Sequence, residues 1–140
     1  MSSHFGVLKE TCVSGVQGIP VSVGDNFPRQ DLGCCLHDGT QYYRRPVRLD
    51  WRWVDLFYII RVDGEEIKLA PEQPVLTTDG PVQAFRLRED MLVSTPGNRK
   101  PAIVEWVGRQ SFAAPCFWFT FETQELLAVK TICLLQPGSY

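Results

Sequence analysis

The sequence has no long hydrophobic run, only two histidines and no large excess of either charge. No stretch approaches the roughly 20 consecutive apolar residues of a transmembrane helix. The first residues, MSSHFGVLKETC, lack the basic-then-apolar order of a signal peptide. A net charge of −2 argues against a general nucleic-acid binder, which needs a basic face to release counterions from phosphates. We therefore expect a protein that is made in the cytoplasm and binds neither membranes nor nucleic acid.

The five cysteines do not form the pattern of a metal site. They include no CxxC pair, and His4 and His37 are the only imidazoles that could join them. An odd number of cysteines in a chain without a signal peptide is typical of reduced thiols. Neighbouring residues such as Cys34 and Cys35 rarely reach disulfide geometry, so we expect this pair to pack at a strand end. The sequence predicts no metal ion and no cofactor.

One short run of the chain is basic. The letters YYRR at 42–45, followed by Arg48 and Arg52, leave a small basic patch open as an alternative. Runs of this kind are more often the solvated face of a strand, and we expect a solvated strand here.

Length and composition predict one all-β domain. A chain of 140 residues with 44% hydrophobic and 21% charged residues has the composition of an ordinary globular domain. Its 11 glycines and 10 prolines separate segments that are rich in β-branched and aromatic residues, as in strands joined by turns. The candidate strands are Val16–Val23, Tyr42–Leu49, Val54–Val62, Glu66–Leu69, Val75–Thr77, Met91–Ser94, Ile103–Val107, Phe117–Glu122 and Leu126–Leu135.

Local signals predict two turns and one helix. Asp63-Gly64 predicts a type I′ hairpin turn, because that turn needs positive φ at both central residues. Pro96-Gly97-Asn98 predicts another turn. The helical candidate is Val82–Glu89, in which Val82 and Phe85 share a face.

The segment Glu65–Gly80, EEIKLAPEQPVLTTDG, carries the most specific motif of the chain. It resembles the central motif of the Hint (Hedgehog/intein) fold, which runs hydrophobic–Thr–Pro–acidic–His–Pro–hydrophobic–hydrophobic–Thr and then Gly. Ala70 stands at the Thr position and Gln73 at the His position. The frame residues of the motif are all present: Leu69, Pro71, Glu72, Pro74, Val75, Leu76, Thr77 and Gly80.

Two further blocks are similar to the same fold and occur in the expected order. Residues 11–25 resemble the opening block, in which a nucleophilic Cys, here Cys12, precedes a hairpin and a Gly-Asp pair. Residues 116–136 resemble the closing block, with Gln124 at a His position and Leu134–Gln136 near the terminal His-Asn. The tail is most similar to bacterial Hint domains. The resemblance implies a compact pseudo-twofold Hint-like β domain at 12–140, with at most one short helix, after an N-terminal extension at 1–11.

The resemblance also implies which chemistry is missing. In Hint domains the Cys attacks the preceding carbonyl, and the motif His protonates the leaving amide nitrogen while the Thr orients it. Losing a positioned acid–base group costs about 10²–10⁴ in rate. Gln73 cannot exchange a proton near neutral pH, and Ala70 has no hydroxyl. We therefore expect Cys12, Ala70, Gln73 and Gln124 to be vestigial positions, with Cys12 a packed thiol. The alternative is a residual self-processing domain in which Cys12 drives an N-to-S acyl shift and cleavage at Thr11-Cys12.

The tryptophans offer a surface for a different function. Strand alternation places Trp51 and Trp53 on one face with Arg52 opposite, and it places Trp118 opposite Phe117. Large aromatics are mostly core residues, but Trp is also enriched where interfaces concentrate their binding energy. Motifs of hydrolases, GxSxG and HExxH, are absent. We therefore expect a non-catalytic structural or interaction module that binds protein partners, a second copy of the chain among them. A small subunit of a larger assembly, such as a bacteriophage particle, is one such module.

Overall fold

The computed structural model describes residues 5–15, 20–23, 30–38, 40–97 and 100–139. These residues fold mainly as antiparallel strands, and no α-helix occurs among them. The predicted all-β class is therefore confirmed. Within this part of the chain there is no helix with the length and apolar character needed to span a bilayer.

The strands follow one another closely along the chain. Their bounds are β1 Cys12–Ser14, β2 Pro20–Ser22, β3 Leu32–Cys35, β4 Gln41–Arg44, β5 Arg48–Val62, β6 Glu65–Leu69, β7 Pro74–Thr77, β8 Gly80–Gln83, β9 Leu92–Val93, β10 Ala102–Thr120, β11 Glu125–Val129 and β12 Ile132–Gln136. A 3₁₀ turn, Ala84–Arg86, follows β8.

The strands form one large sheet and one small sheet. The large sheet has the order β4-β3-β11-β12-β7-β9-β10-β5-β6, with β8 paired to β7, and β1 pairs with β2 in the small sheet. The long strands β5 and β10 pair antiparallel from Arg48↔Thr120 to Val62↔Val104, with two irregularities in register. Irregularities in register of this kind, such as β-bulges, increase the local twist of a strand pair.

The N-terminal segment closes the sheet on itself. Val7 bridges to Leu69 in β6 and to Phe117 in β10, and its backbone N–H and C=O both bond to Phe117, at 2.9 and 2.8 Å. Because β6 also pairs with β5 and β5 pairs with β10, the segment completes a ring of strands. Val7 itself is 4% exposed and lies in the core. Part of the predicted N-terminal extension is therefore packed into the domain.

The structure confirms the hairpin at Asp63-Gly64 and corrects the predicted helix. Asp63 and Gly64 have φ values of 52° and 76° between β5 and β6. The helix predicted at Val82–Glu89 is wrong, because its first residues pair with β7 and only Ala84–Arg86 form a helical turn. In the predicted turn at 96–98, Gly97 has a φ of 78°, and Asn98 lies outside the described residues.

Strand boundaries differ from the predictions where long-range pairing decides them. The predicted strand Tyr42–Leu49 breaks around Pro46, which has no N–H to donate to a ladder. Two predicted strands merge into β10, because β5 pairs along almost its whole length. The sequence did not predict β1, β3 or β8. Of the predicted strand Val16–Val23, residues 16–19 lie outside the described residues.

Candidate functional site

A tight turn after β6 buries the side chain of Gln73. The backbone N–H of Gln73 donates to the carbonyl of Ala70 at 3.1 Å, and its carbonyl accepts from Ala84 at 2.9 Å. Pro71 and Pro74 flank the turn and restrict its φ angles. Gln73 is 0% exposed, which is unusual for a polar side chain and requires hydrogen bonds.

The Gln73 amide joins the N-terminal segment to the C-terminal strand. Its Oε1 accepts from the Gly6 N–H at 2.7 Å. Its Nε2 donates to the carbonyls of Leu135 at 2.9 Å and Pro74 at 2.8 Å. One acceptor and two donors are therefore used at once. A neutral imidazole has one donor and one acceptor and cannot make the same three bonds.

Gly6 occupies a position that excludes a side chain. Its carbonyl accepts from the Ala70 N–H at 3.0 Å, so both of its backbone polar groups are bonded beside the motif. Its φ is +123°, which side chains of L-residues rarely adopt. A Cβ built there would lie 2.6 Å from the carbonyl oxygen of Phe117 and 3.0 Å from Sγ of Cys116. The amide that Gln73 binds therefore belongs to a residue without a nucleophile.

Gln136 completes the buried polar site. It is 1% exposed, and its Oε1 accepts from the Phe119 N–H at 2.8 Å. Its Nε2 donates to the carbonyl of Leu135 at 3.0 Å and lies 3.5 Å from Oε1 of Gln73. Gly6, Gln73 and Gln136, which we call the buried amide site, are thus joined in one network. All three are neutral at every pH at which the domain is folded.

Ala70 lies against the same site but adds no polar group. It is 0% exposed and packs with Val54, Phe57 and Cys116. Alanine has no hydroxyl, so the contact of Ala70 with Gly6 is made by its backbone N–H alone.

The structure does not bring Cys12 together with Ala70 and Gln73. Cys12 lies in β1 opposite Ser22, and its thiol is 3.8 Å from the carbonyl oxygen of Glu10. It lines an open pocket of about 530 Å³ that neither Gly6 nor Gln73 lines. The remaining lining residues are Val13, Ser14, Pro20, Asp63, Glu65, Lys130 and Thr131. His37 is exposed in a turn and lines a different pocket, so it does not approach Cys12.

The sulfur beside Gly6 belongs to Cys116. Its Sγ lies 3.7 Å from the carbonyl oxygen of Phe5, the residue whose peptide bond leads into Gly6. Burial raises the pKa of the Cys116 thiol from 9.0 to about 12, and hydrogen bonds to backbone N–H groups lower it in part. The thiol therefore keeps its proton at neutral pH. A protonated thiol is a poor nucleophile.

Gln124 lies apart from the buried amide site. It is exposed in the turn before β11, and its neighbour Glu125 is the buried residue, at 8% exposure. Glu125 accepts a short hydrogen bond from the Tyr42 hydroxyl, and its carboxylate is 3.9 Å from Arg44. Burial and the bond to Glu125 raise the pKa of Tyr42. This acid forms a structural contact between β4 and β11.

The basic run at 42–45 is compensated by carboxylates. Within the described residues, Arg44, Arg45 and Arg48 lie 3.9, 3.2 and 2.9 Å from carboxylates of Glu125, Asp31 and Asp50, respectively. The arginines are therefore matched by acids and do not form an uncompensated basic face. No group of three or more His, Cys, Asp or Glu that could hold a metal ion is present in the described part of the chain.

Two of the three predicted interface tryptophans are largely exposed. Trp51 and Trp53 are 53% and 63% exposed, and their rings meet edge to face with centroids 6.1 Å apart. Trp118 is half-buried and lies opposite Asp50 on the facing strand. The predicted alternation on β5 is confirmed, since Arg52 between the two rings is half-buried.

Sequence reasoning identified Gln73 and missed Gly6. The chain around Gly6 offers a weak signal, the apolar pair Val7-Leu8 before the charged Lys9-Glu10, which is typical of a short buried strand. The closing Gln136 was placed near the terminal His-Asn positions, and the structure joins it to Gln73.

Comparison with known proteins gives matches in structure alone. No family model and no curated protein sequence matches the chain. A bacterial intein-like domain from Clostridium thermocellum superposes with a TM-score of 0.82 at 14% identity, over 96% of this chain and 99% of that one. The Ssp DnaB mini-intein variant M86 gives a TM-score of 0.80 at 12% identity, over 98% and 97% of the two chains. The TvoVMA intein gives 0.78 at 14% identity, over 93% and 96%. The chain therefore has the compact all-β fold of an intein/Hint-like domain.

Proposed function

We propose that this chain is a non-catalytic structural or interaction module built on the intein/Hint-like fold. In this proposal it binds protein partners and serves as a small subunit of a larger assembly, for which a bacteriophage particle is one setting. The observation that carries the non-catalytic part of the proposal is the hydrogen bond from the Gly6 N–H to Gln73.

That bond places an inert residue where acyl-shift chemistry would need a reactive one. An N-to-S or N-to-O shift at the Phe5–Gly6 peptide requires a side-chain nucleophile on residue 6, and glycine has none. The backbone of Gly6 also leaves no room for one, since a Cβ would lie 2.6 Å from the carbonyl oxygen of Phe117. Gln73 uses its amide to hold Gly6 and cannot donate a proton to a leaving nitrogen near neutral pH.

The two cysteines closest to this part of the chain do not replace that nucleophile. The Cys116 thiol is buried with a pKa of about 12, so it is protonated under ordinary conditions. Cys12 lies in a separate pocket, away from the described contacts of Gln73. Among the described residues, no activated thiol lies beside the Phe5–Gly6 peptide bond. This favours a structural role for the site over cleavage of that bond.

Intact-mass spectrometry of the full chain, with and without hydroxylamine, tests the non-catalytic part of the proposal. Hydroxylamine cleaves thioesters, so a residual acyl shift would release a fragment. We expect the full mass alone in both samples after a day at 37 °C. A fragment ending at Thr11 would instead support self-processing through Cys12, and a fragment ending at Phe5 would support chemistry at Gly6. Either fragment overturns the proposal.

Light scattering after size-exclusion chromatography tests the assembly part. We expect a mass above that of one 15.9 kDa chain, or a stable complex when the chain is purified from its native source. A monomer that is recovered alone from both preparations would contradict an assembly role.

A further inference from the structure

An exposed row of side chains on β5 combines two aromatic rings with one carboxylate. Trp51 and Trp53 lie on one side of the strand, and Asp55 follows at an irregularity in the pairing with β10 and lines the same pocket as Trp53. All three are exposed, whereas Arg52 is half-buried and Val54 is 9% exposed between them. We call these three residues the Trp-Asp row.

The facing strand and the turn after β6 extend the row into a pocket. Phe117 lies opposite Trp51, with the two rings 6.5 Å apart, and Pro115 lies opposite Trp53. Beside them is an open pocket of about 420 Å³ that is lined by Arg52, Trp53, Val54, Asp55, Leu56, Pro71 and Ala113. The pocket is therefore lined mainly by apolar residues, with Arg52 and Asp55 as the charged ones.

Asp55 is a carboxylate that has no ion-pair partner among the described residues. Among the described residues no hydrogen bond or ion pair is found for Asp55, whereas Asp50 is 2.9 Å from Arg48. Arg52, which lines the same pocket, is already engaged in an interaction within the domain. The row thus presents a negative charge next to exposed aromatic surface.

Two other places in the domain combine an aromatic ring, an acid and an arginine. Arg61 lies over the ring of Trp106, at 5.5 Å from the centroid, and its guanidinium is 2.7 Å from the Glu66 carboxylate. The same three groups recur at β4, where Arg44 lies 5.0 Å from the Tyr42 ring centroid and 3.9 Å from Glu125. In both places an arginine lies between an aromatic ring and an acid.

We propose that the Trp-Asp row binds an arginine side chain of a protein partner, whose guanidinium stacks on Trp53 and pairs with Asp55. The proposal rests on the interaction role proposed above and names the chemistry of the partner. A guanidinium fits because it is planar, stacks on indole and donates two parallel hydrogen bonds to one carboxylate. Lysine offers a compact charge without the flat face, so it binds less well.

The four tryptophans allow a direct test by nuclear magnetic resonance. Their indole N–H signals are assigned with single Trp→Phe variants, and the full-length chain is titrated with acetyl-Gly-Arg-Gly-amide. We expect the signals of Trp51 and Trp53 to shift and to saturate at millimolar peptide, while those of Trp106 and Trp118 stay in place. The matched peptide with lysine in place of arginine should bind more weakly. The matched peptide with glutamine should show no measurable binding.

Two carboxylate variants decide whether Asp55 acts in this binding. Asp55→Asn should weaken binding of the arginine peptide by about three- to tenfold, as expected for an exposed cation–carboxylate pair. Asp79→Asn, an exposed aspartate in the turn between β7 and β8, is the matched control and should leave binding unchanged. Equal effects of the two variants, or equal binding of the glutamine peptide, would overturn the proposal.

Failure of this inference is distinct from failure of the proposed function. If the arginine peptide shifts neither Trp51 nor Trp53 while the intact mass shows one uncleaved species, the arginine chemistry is wrong and the non-catalytic role stands. If a fragment appears in the mass spectrum, the proposed function is wrong whatever the titration shows.

Discussion

The buried amide site and the Trp-Asp row are both unusual, and they are unusual in opposite ways. The polar side chain of Gln73 is 0% exposed, and both its amide oxygen and its amide nitrogen form hydrogen bonds. Trp53, in contrast, is a large apolar side chain that is 63% exposed. A domain of this size would ordinarily place the first outside and the second inside. The comparison indicates that the buried polar group stabilises the fold, whereas the exposed ring contributes little to it.

The buried amide site also lacks the titratable groups that are typical of reactive sites. Reactive sites keep titratable groups whose pKa values lie near the working pH. The buried amide site contains none, because glycine and glutamine do not titrate, and the nearby Cys116 thiol is held protonated by burial. Its polar atoms stabilise the junction between the N-terminal segment and β12.

Replacing Gln73 should have the largest effect among changes at the buried amide site and the Trp-Asp row. Gln73→Ala removes the side-chain hydrogen bonds to Gly6, Pro74, Leu135 and Gln136 and leaves the buried Gly6 N–H without this acceptor. We expect the free energy of unfolding to fall by about 3–5 kcal/mol, as measured by urea denaturation. Gln124→Ala, at an exposed turn, is the matched control and should change it by about 0.5 kcal/mol or less. A similar loss of unfolding free energy in the two variants would contradict the stabilising role of the Gln73 hydrogen bonds.

A side chain at Gly6 should destabilise the domain next most strongly. Gly6→Ala must fit a φ of +123° and a contact of 2.6 Å to the Phe117 carbonyl, so we expect a loss of about 2–4 kcal/mol. Gly64→Ala is the control, because its φ is +76° but nothing lies within 4 Å of the added Cβ. That variant should lose about 1 kcal/mol. Thermal or urea unfolding of both variants sharpens the comparison between a strained, crowded glycine and a strained, open one.

High pH should lower the stability of the domain through the buried Cys116 thiol. Folding raises the pKa of Cys116 from 9.0 to about 12, so the unfolded chain loses this proton first. The contribution is fully present below about pH 9 and is lost as the pH rises toward 12. In Cys116→Ala the free energy of unfolding should fall less steeply with pH over that range. The difference in slope should correspond to the release of about one proton on unfolding. Identical slopes in the two proteins would mean that the thiol is not buried as described.

The surface row should contribute least to stability. Trp53→Ala removes a ring that is 63% exposed, so we expect a loss of about 1 kcal/mol or less. Phe119→Ala, at a ring that is 0% exposed, should lose about 3–5 kcal/mol. If Trp53→Ala destabilised the domain as much as Phe119→Ala, the ring would be a core residue and the interface role would lose its basis.

The sequence predicted the fold class and the motif, because both depend on local information. Alternation and turn residues predict strands, and the frame around Ala70 and Gln73 predicts the Hint-like turn, which the structural comparisons support. The Asp63-Gly64 turn was predictable for the same reason, since its φ values follow from residue type.

The partners across the site could not be predicted in this way. Gly6 and Gln73 are 67 residues apart in the sequence, and a local pattern does not predict which backbone N–H will donate to a buried side-chain amide. The sequence predicted Cys12 as the thiol of the opening block. In the fold, however, Gly6 lies beside Gln73, because the neighbouring Val7 bridges β6 and β10. Alternation likewise placed Trp51 and Trp53 on one face, and only the folded sheet shows that this face is exposed.

Hydrogen exchange at the Gly6 amide, followed by nuclear magnetic resonance, tests the central claim most directly. If Gln73 holds the N-terminal segment, this amide should exchange only through global unfolding in the native protein, as core amides do. In Gln73→Ala its protection should fall further than that of core amides in β5. A Gly6 amide that exchanges at the rate of an open chain in the native protein would show that the bond to Gln73 is not made and would contradict the account.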